Sequence, residues 1–470
     1  MSASNTTPSR QGKVKAGYFR PRLQDHIQLE LKNGGQSLNR IGLRKEKKAF
    51  ETRVPLVPDH VRVLRDKHGI DFVLEPSNQR AFSEDEYSID RADIIPLKGS
   101  GVPIIMGIKE MPIDTFEKDI VYIFFSHTIK GQNKNMPMLK QILDVGATLI
   151  DYERVVDDKG RRLIYFGNWA GMAGISDTLR VLGDRLESRG IKPNPFAEMK
   201  TTLEIRELDE LKEEFELLGE RIKEQGLPKE LTPFVVGFAG YGNVSRGAQE
   251  IFDILPHKTV NPEELPELTP ESNLLYKCVF KEEHMVEPKD PSAEFNLQDY
   301  YKNGKTKYSG VFHKHVPYIT VLMNCIYWTN KSPRLVTLDF IRTHWKEDNR
   351  KLQVVGDISC DIGGAIEFTV KCTSADRPAY TYIIDENRAQ LGVEGEGPVV
   401  MAVDNLPCEL PRESSTSFSE TLLDFIPALA GADFTVPFSD LELPREFKDA
   451  VIVYRGKLTE KFQYLEQYLP

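Results

Sequence analysis

From Ile41 onward, apolar residues alternate between short continuous runs bounded by Gly, Pro or Asp and longer stretches in which they recur every three to four positions. The first pattern belongs to buried strands and the second to helices with one apolar face. It predicts a helix over Asp59 to Lys67 and strands at Phe72 to Leu74, Pro103 to Ile108 and Val121 to Phe125. Such alternation builds a parallel α/β layer. Farther along, Ile205, Leu208, Leu211, Phe215, Leu218 and Ile222 mark one face of a helix across Thr202 to Gln225, which Gly226 and Pro228 stop. A second α/β unit starts at Phe234, with later strands expected at Tyr276 to Phe280, Tyr318 to Asn324 and Val354 to Ile358. Between them the polar stretch Glu287 to Gly310 reads as a loop insertion. The small-residue run YFGNWAGMAG, Tyr165 to Gly174, lets two layers approach closely and puts a domain boundary near Phe166.

A chain of 470 residues exceeds what one hydrophobic core supports, so more than one domain is expected. Lys plus Arg number 61 against 71 Asp plus Glu, a net charge of -10 that offers a polyanion or a membrane face no general attraction. Small molecules, with no nucleic acid and no membrane, are the expected partners. The five Cys contain no CxxC pair, and no HExxH occurs, which argues against a disulfide framework and against a metal site. Residues 1–24 carry Arg10, Lys13, Lys15, Arg20 and Arg22 and no acidic residue, as a mitochondrial presequence does. A basic tail on a cytoplasmic protein would read the same way, so the expected compartment is the mitochondrial matrix or the cytoplasm.

The run FVVGFAGYGNVSRGAQEIFDIL sets an apolar strand before Gly240-Tyr241-Gly242 and a helical pattern after it. That order suits a dinucleotide pyrophosphate, because glycines let the backbone come close and a helix N-terminus presents free N–H groups. Ser245 stands where the third glycine of the G-x-G-x-x-G pattern is expected and Gly247 follows two positions later, so the match is partial. At the end of the next strand, Lys281 would accept a 2′-phosphate, whereas Glu282 or Glu283 turned inward would accept a ribose hydroxyl.

Polar residues also gather at strand exits before that unit. Lys109 and Glu110 follow PIIMGI, and His127, Lys130 and Gln132 follow VYIFFS. If both exits face one crevice, Lys109 and His127 can exchange protons with a substrate amine and a carbonyl oxygen. Arg53, before a Pro-punctuated turn, has the geometry to hold a carboxylate, and Asp357, Ser359 and Asp361 lie beyond another strand. A surface lysine, a hydrogen-bonded histidine and an internal salt bridge are the alternative readings of the first three.

Taken together, IGLRKEKKAFETRVPLVPDHV, GIKEMP, FFSHTIKGQNKNMPML, LIDYERVVDDKGRRLIYFGNWAGMAG, GYGNVSRGAQEIF, DISCDIGGAIEF and VDNLPCELPRESS closely resemble the lysine-ketoglutarate reductase half of aminoadipic semialdehyde synthase. More distantly they resemble fungal lysine-forming saccharopine dehydrogenase and alanine dehydrogenase. The resemblance runs from about Leu38 to Leu469; the saccharopine dehydrogenase half of the bifunctional enzyme has no counterpart in these residues. It implies an α/β fold of two Rossmann-like domains whose parallel sheets flank an interdomain cleft. On that pattern, 1–37 is a tail, 38–165 completed by 398–470 binds substrate, and 166–397 binds the dinucleotide. It implies reductive condensation of L-lysine with 2-oxoglutarate by NADPH to give saccharopine. His127 and Lys109 would be the acid/base pair, Arg53 would bind an oxoglutarate carboxylate, and Lys48, Glu51, Glu110, Lys130, Gln132 and Glu153 would tune charge or bind substrate. Cofactor contacts would come from Gly240, Gly242, Asn243, Val244, Ser245, Asp357, Asp361, Asn405 and Leu406. At Lys281-Glu282-Glu283 the chain departs from animal relatives, which keeps NAD(H) beside NADP(H) and lysine formation beside lysine breakdown. A homo-oligomer, or association with a separate saccharopine dehydrogenase, is the protein-partner expectation, and a silent nucleotide-binding regulatory module is the reading from another class.

Overall fold

The computed structural model describes residues 39–88, 92–347 and 350–470. The basic segment read as a presequence lies outside them.

Two eight-stranded sheets organise the chain. In the first, Arg40–Leu43, Asp71–Leu74, Asp93–Ile94, Ile104–Met106, Val121–Phe124 and Thr148–Asp151 run parallel. Val451–Tyr454 and Lys457–Leu458 then close one edge antiparallel. The central strands are buried on both faces, which is why they read as continuous apolar runs rather than alternating ones. One core packs on each side. Ile41, Ile104, Ile123 and Ile150 face a layer that includes Phe418 and Leu422, whereas Ile105, Tyr122 and Leu149 face Leu139, Ile142 and Phe462.

The second sheet has Val235–Ala239 and Val321–Asn324 at its centre, flanked in parallel by Leu275–Phe280 and His257–Val260 on one side and Val354–Asp357 and Val399–Met401 on the other. Ala379–Ile383 and Arg388–Leu391 extend it antiparallel. The two-sheet α/β architecture is the expected one; its antiparallel edges were not legible from local pattern. Val399–Met401 also corrects the expected boundary at 397, because that strand belongs to the second sheet. The chain returns to the first core only after it, with the helix Pro411–Leu422.

Two further expectations change. The helix expected over Thr202 to Gln225 is two pieces, Thr202–Ile205 and Leu208–Gln225, broken where Arg206 takes φ +62°. The expected loop insertion holds the helix Leu297–Asn303 and a strand pair, Val286–Pro288 with Tyr308–Gly310, on which Phe295, Tyr300 and Tyr308 cluster.

Candidate active site

Parallel strands end on one side of their sheet, so the exits after Arg40–Leu43, Ile104–Met106 and Val121–Phe124 deliver their polar residues together. The Phe125 N–H donates to the Ile108 carbonyl at 3.0 Å, tying the exit that carries Lys109 to the one that carries His127. Beneath Lys109, the buried Glu46 carboxylate accepts the N–H groups of Ile108 at 2.7 Å and Lys109 at 3.1 Å. Glu46 therefore fixes the turn on which Lys109 stands. Glu46 was not among the residues expected at the site, although the charged run after the first strand was its signal.

Lys109 itself is half-buried. Burial first, then the neighbouring Arg53 and Lys48, lower its ammonium pKa from the ordinary lysine value, while Glu51 and Glu110 oppose them. Arg53 and Glu51 are buried and paired. Arg53 Nε donates to Glu51 Oε1 at 2.7 Å and Nη2 donates to Oε2. Burial pushes the Glu51 carboxyl up, but the Arg53 charge and hydrogen bonds outweigh it and bring it to about 2. Asn405 completes the cluster, accepting from Arg53 at 3.0 Å and donating to Glu51 at 2.9 Å. Its side chain, expected at the cofactor, is thus committed to the charged pair across the fold. The guanidinium also lies over the Phe166 ring, 4.1 Å from its centroid.

His127 Nδ1 lies 2.7 Å from Glu110 Oε1. Burial pushes the Glu110 carboxyl up, and the hydrogen bond and charge of His127 more than offset it, bringing it to about 2. A carboxylate on Nδ1 fixes the tautomer with Nδ1–H donating and leaves Nε2 for a substrate atom. The ring stacks on Phe125, which also meets Phe166, so His127 and Arg53 are joined through two aromatic rings. A buried network supports the same turn: Ser126 donates its backbone N–H, at 3.2 Å, and its hydroxyl to Asp151. Burial raises the Asp151 carboxyl to about 6.

Of the other expected residues, Lys48 pairs with Asp404 at 2.8 Å, and buried Glu153 accepts from Arg162, a cation the sequence reading passed over. Lys130 and Gln132 are exposed at the rim. Asp357 is buried among Asn324, Ser359 and Thr369, whose side chains donate to it at 2.8, 2.8 and 2.5 Å; burial raises its pKa. Asp361 is half-buried and also raised by burial, with Lys130, from the other sheet's side, pulling it back.

The glycine turn has the expected form. Gly240 takes φ +93° and its N–H donates to the Phe280 carbonyl at 2.9 Å, and Gly242 caps the helix Asn243–Phe252. A Cβ built on Gly242 would meet nothing within 4 Å, so the approach to the N–H groups of Asn243, Val244 and Ser245 is open. Two side chains turn away from it. Ser245 is fully buried and its hydroxyl accepts from Gln249 at 2.8 Å, and Leu406 packs beside Gly174. Lys281 is exposed, while the adjacent Glu282 accepts from the Tyr301 hydroxyl at 2.7 Å and its Oε2 is buried without a hydrogen-bond partner. Glu282 also acts on Tyr241, the residue between the two turn glycines. An open helix N-terminus and an unsatisfied acceptor beside it fit the pyrophosphate and ribose of a dinucleotide. Among the described residues no group of three or more His, Cys, Asp or Glu could hold a metal ion, and no helix is long and apolar enough to cross a membrane.

The chain is similar to known proteins over most of its length. Residues 42–173 match the family model described as alanine dehydrogenase/PNT, N-terminal domain, and residues 303–461 match the corresponding C-terminal domain. The chain is 38% identical to alpha-aminoadipic semialdehyde synthase of Arabidopsis thaliana, an alignment covering 88% of this chain and 40% of that protein. It is 27% identical to saccharopine dehydrogenase [NAD(+), L-lysine-forming] of Emericella nidulans, over 89% of this chain and 97% of the other. The chain spans less than half the length of the semialdehyde synthases it matches. Among solved structures, an L-alanine dehydrogenase superposes with a TM-score of 0.57 at 18% identity, covering 92% of this chain and 100% of that one, a likeness of fold.

Proposed function

We propose that this chain, which belongs to the alanine dehydrogenase/saccharopine dehydrogenase superfamily, joins the ε-amine of L-lysine to the keto carbon of 2-oxoglutarate and reduces the resulting imine to saccharopine. The observation that carries it is a lysine with a lowered pKa and a carboxylate-anchored histidine on neighbouring strand exits, next to a buried arginine. Those are the groups a condensation of amine with keto acid calls for.

Arg53 has Nε and Nη2 committed to Glu51 and Asn405, which leaves Nη1 to a substrate carboxylate. Lys109, its charge disfavoured by burial, takes a proton from the substrate ammonium so that the amine can attack. His127 Nε2 gives a proton to the carbonyl oxygen as the carbinolamine forms, takes one back from the carbinolamine nitrogen, and gives that proton to the hydroxyl as water leaves. Glu51, Glu110 and Glu153 keep the site mixed in sign, which suits a cationic iminium better than a cluster of cations would. A bound nicotinamide dinucleotide supplies the hydride; Gly240, Gly242 and the N–H groups of Asn243, Val244 and Ser245 would hold its pyrophosphate, with Asp357 and Asp361 toward the nicotinamide.

A second reading is the same chemistry run with NAD(H) toward release of lysine. Family resemblance puts NADP(H) first, but the Glu282 carboxylate beside the glycine turn would favour a ribose hydroxyl and repel a 2′-phosphate. Mixing the protein with lysine, 2-oxoglutarate and either NADPH or NADH, and saccharopine with either oxidised form, separates the two readings by nicotinamide absorbance. No turnover with any of these, where nucleotide binding is confirmed, would leave the regulatory module. The mitochondrial address belongs to this proposal too; it is supported by the basic character of residues 1–24 and by the Bos taurus relative named alpha-aminoadipic semialdehyde synthase, mitochondrial.

A further inference from the structure

Three of the five cysteines are buried; Cys360 is half-buried and Cys372 exposed. The last two are neighbours. Cys360 donates its thiol to the Ala402 carbonyl at 2.9 Å, and Cys372 donates to the Cys360 carbonyl at 3.5 Å, which sets the Cys372 sulfur against the residue that carries the other thiol. Cys360 takes φ +53°, a conformation that non-glycine residues seldom adopt. The neighbouring Cys360 lowers the Cys372 pKa against burial, Asp404 and Asp357, which raise it, with Lys48 assisting; Cys372 and burial in turn raise Cys360. Cys372 also opens onto a cavity of about 430 Å³ lined by the cations Lys48, Lys371 and Arg377 together with Asp404. An exposed thiol with a resolving thiol behind it and cations in front is the arrangement that reacts with anionic disulfides.

We propose that Cys372 and Cys360 form a thiol–disulfide exchange site that takes an anionic low-molecular-weight disulfide from this cavity. The Cys372 thiolate attacks one sulfur of the disulfide, forming a mixed disulfide and releasing one small thiolate. Cys360 then loses its proton and attacks the Cys372 sulfur, expelling the second small thiol. Two protein thiols are oxidised to one S–S bond, the small disulfide is reduced, and the two protein-thiol protons end on the two released thiols. The bridge closes a loop that holds Asp361 and Thr369, the latter a donor to Asp357, so oxidation fixes one wall of the nucleotide cleft.

The test uses the full chain, reduced and then equilibrated with oxidised glutathione, quenched with an alkylating agent and digested with trypsin. Mass spectrometry should find the peptide from Leu352 to Lys371 joined to the one beginning at Cys372, two hydrogens lighter than their sum, and reduced glutathione should reverse the link. Cys360→Ser should retain glutathione on Cys372 as a trapped adduct, and Cys372→Ser should leave Cys360 open to alkylation. Wild type that keeps both thiols free, or that accumulates glutathione on Cys372 without the internal link, would overturn the proposal. None of these readouts depends on catalytic activity.

Discussion

His127 holds a left-handed backbone, φ +50°, with the Asn135 side chain donating to its carbonyl at 3.0 Å and Glu110 on its ring. The left-handed region costs a non-glycine residue about 1 kcal/mol, and these two hydrogen bonds, with the Phe125 stack, hold the imidazole against that cost. Replacing it by Gln removes the proton donor but not the fold: turnover should fall about a hundredfold while nucleotide affinity, read by titration, stays unchanged. Glu51 predicts the opposite partition. Its carboxylate is the counter-charge of a buried guanidinium, and Glu51→Gln removes that charge, leaving the cation only neutral acceptors and the Phe166 ring. Breaking a buried pair in this way costs about 3–5 kcal/mol, which urea unfolding would register as a lowered midpoint. A Glu51→Gln protein as stable as wild type would show that the pair is not what holds Arg53 in place.

Between elements, the helices Gly167–Ser188 and Asn243–Phe252 approach backbone to backbone. A Cβ on Gly171 would sit 1.9 Å from the Val244 carbonyl oxygen, and one on Gly247 2.0 Å from that of Asn168; both obstacles are backbone and cannot turn aside. Gly247→Ala should therefore cost about 1–3 kcal/mol and weaken dinucleotide binding, because it displaces the helix whose N-terminus faces the pyrophosphate. Gly431→Ala, where the added methyl meets nothing within 4 Å, should change neither. Urea titration and nucleotide binding measure both. The strand, glycine turn and helix were legible in the sequence because every determinant is local: an apolar run, two glycines, a helical period. Lys109 and His127 were legible because parallel strands end on one side. The break at Arg206 was not, since its causes are distant: Arg206 reaches the Thr52 hydroxyl at 2.9 Å and the Glu413 carboxylate accepts the Leu208 N–H at 3.0 Å. Asn405 joining Glu51 and Arg53 is the same kind of fact, a contact across more than 350 residues with no local signature.

At the scale of the molecule, the chain crosses from the second sheet to the first core through the turn Leu406–Glu409, and there Glu409 meets Asp177 of the long helix, both buried. Two ionised carboxylates have only acceptors to offer, so their proximity favours the protonated form, with Arg206 the cation acting the other way on Glu409. Burial raises Asp177 to about 6, and burial together with Asp177 raises Glu409 well above the usual carboxylate range. Raised carboxyls stabilise the fold below their unfolded pKa and lose that contribution as the pH climbs through the folded one. Unfolding free energy should therefore fall from about pH 4 through 6. Glu51 and Glu110, both held at about 2, act with the reverse sign, losing stability only as the pH drops from about 4.5 toward 2. The two limbs put the stability maximum near pH 4 to 5, and urea midpoints across pH 2.5 to 8 would trace it. Asp177→Asn combined with Glu409→Gln removes the titration of the pair. It should flatten the descending limb, with Asp151, raised to about 6, and Asp357 and Asp361, also raised by burial, keeping it from vanishing, and leave the ascending limb as it was. A double variant whose stability declines as steeply as wild type above pH 4 would mean that the buried pair is not what makes the joint between the two sheets sensitive to protons.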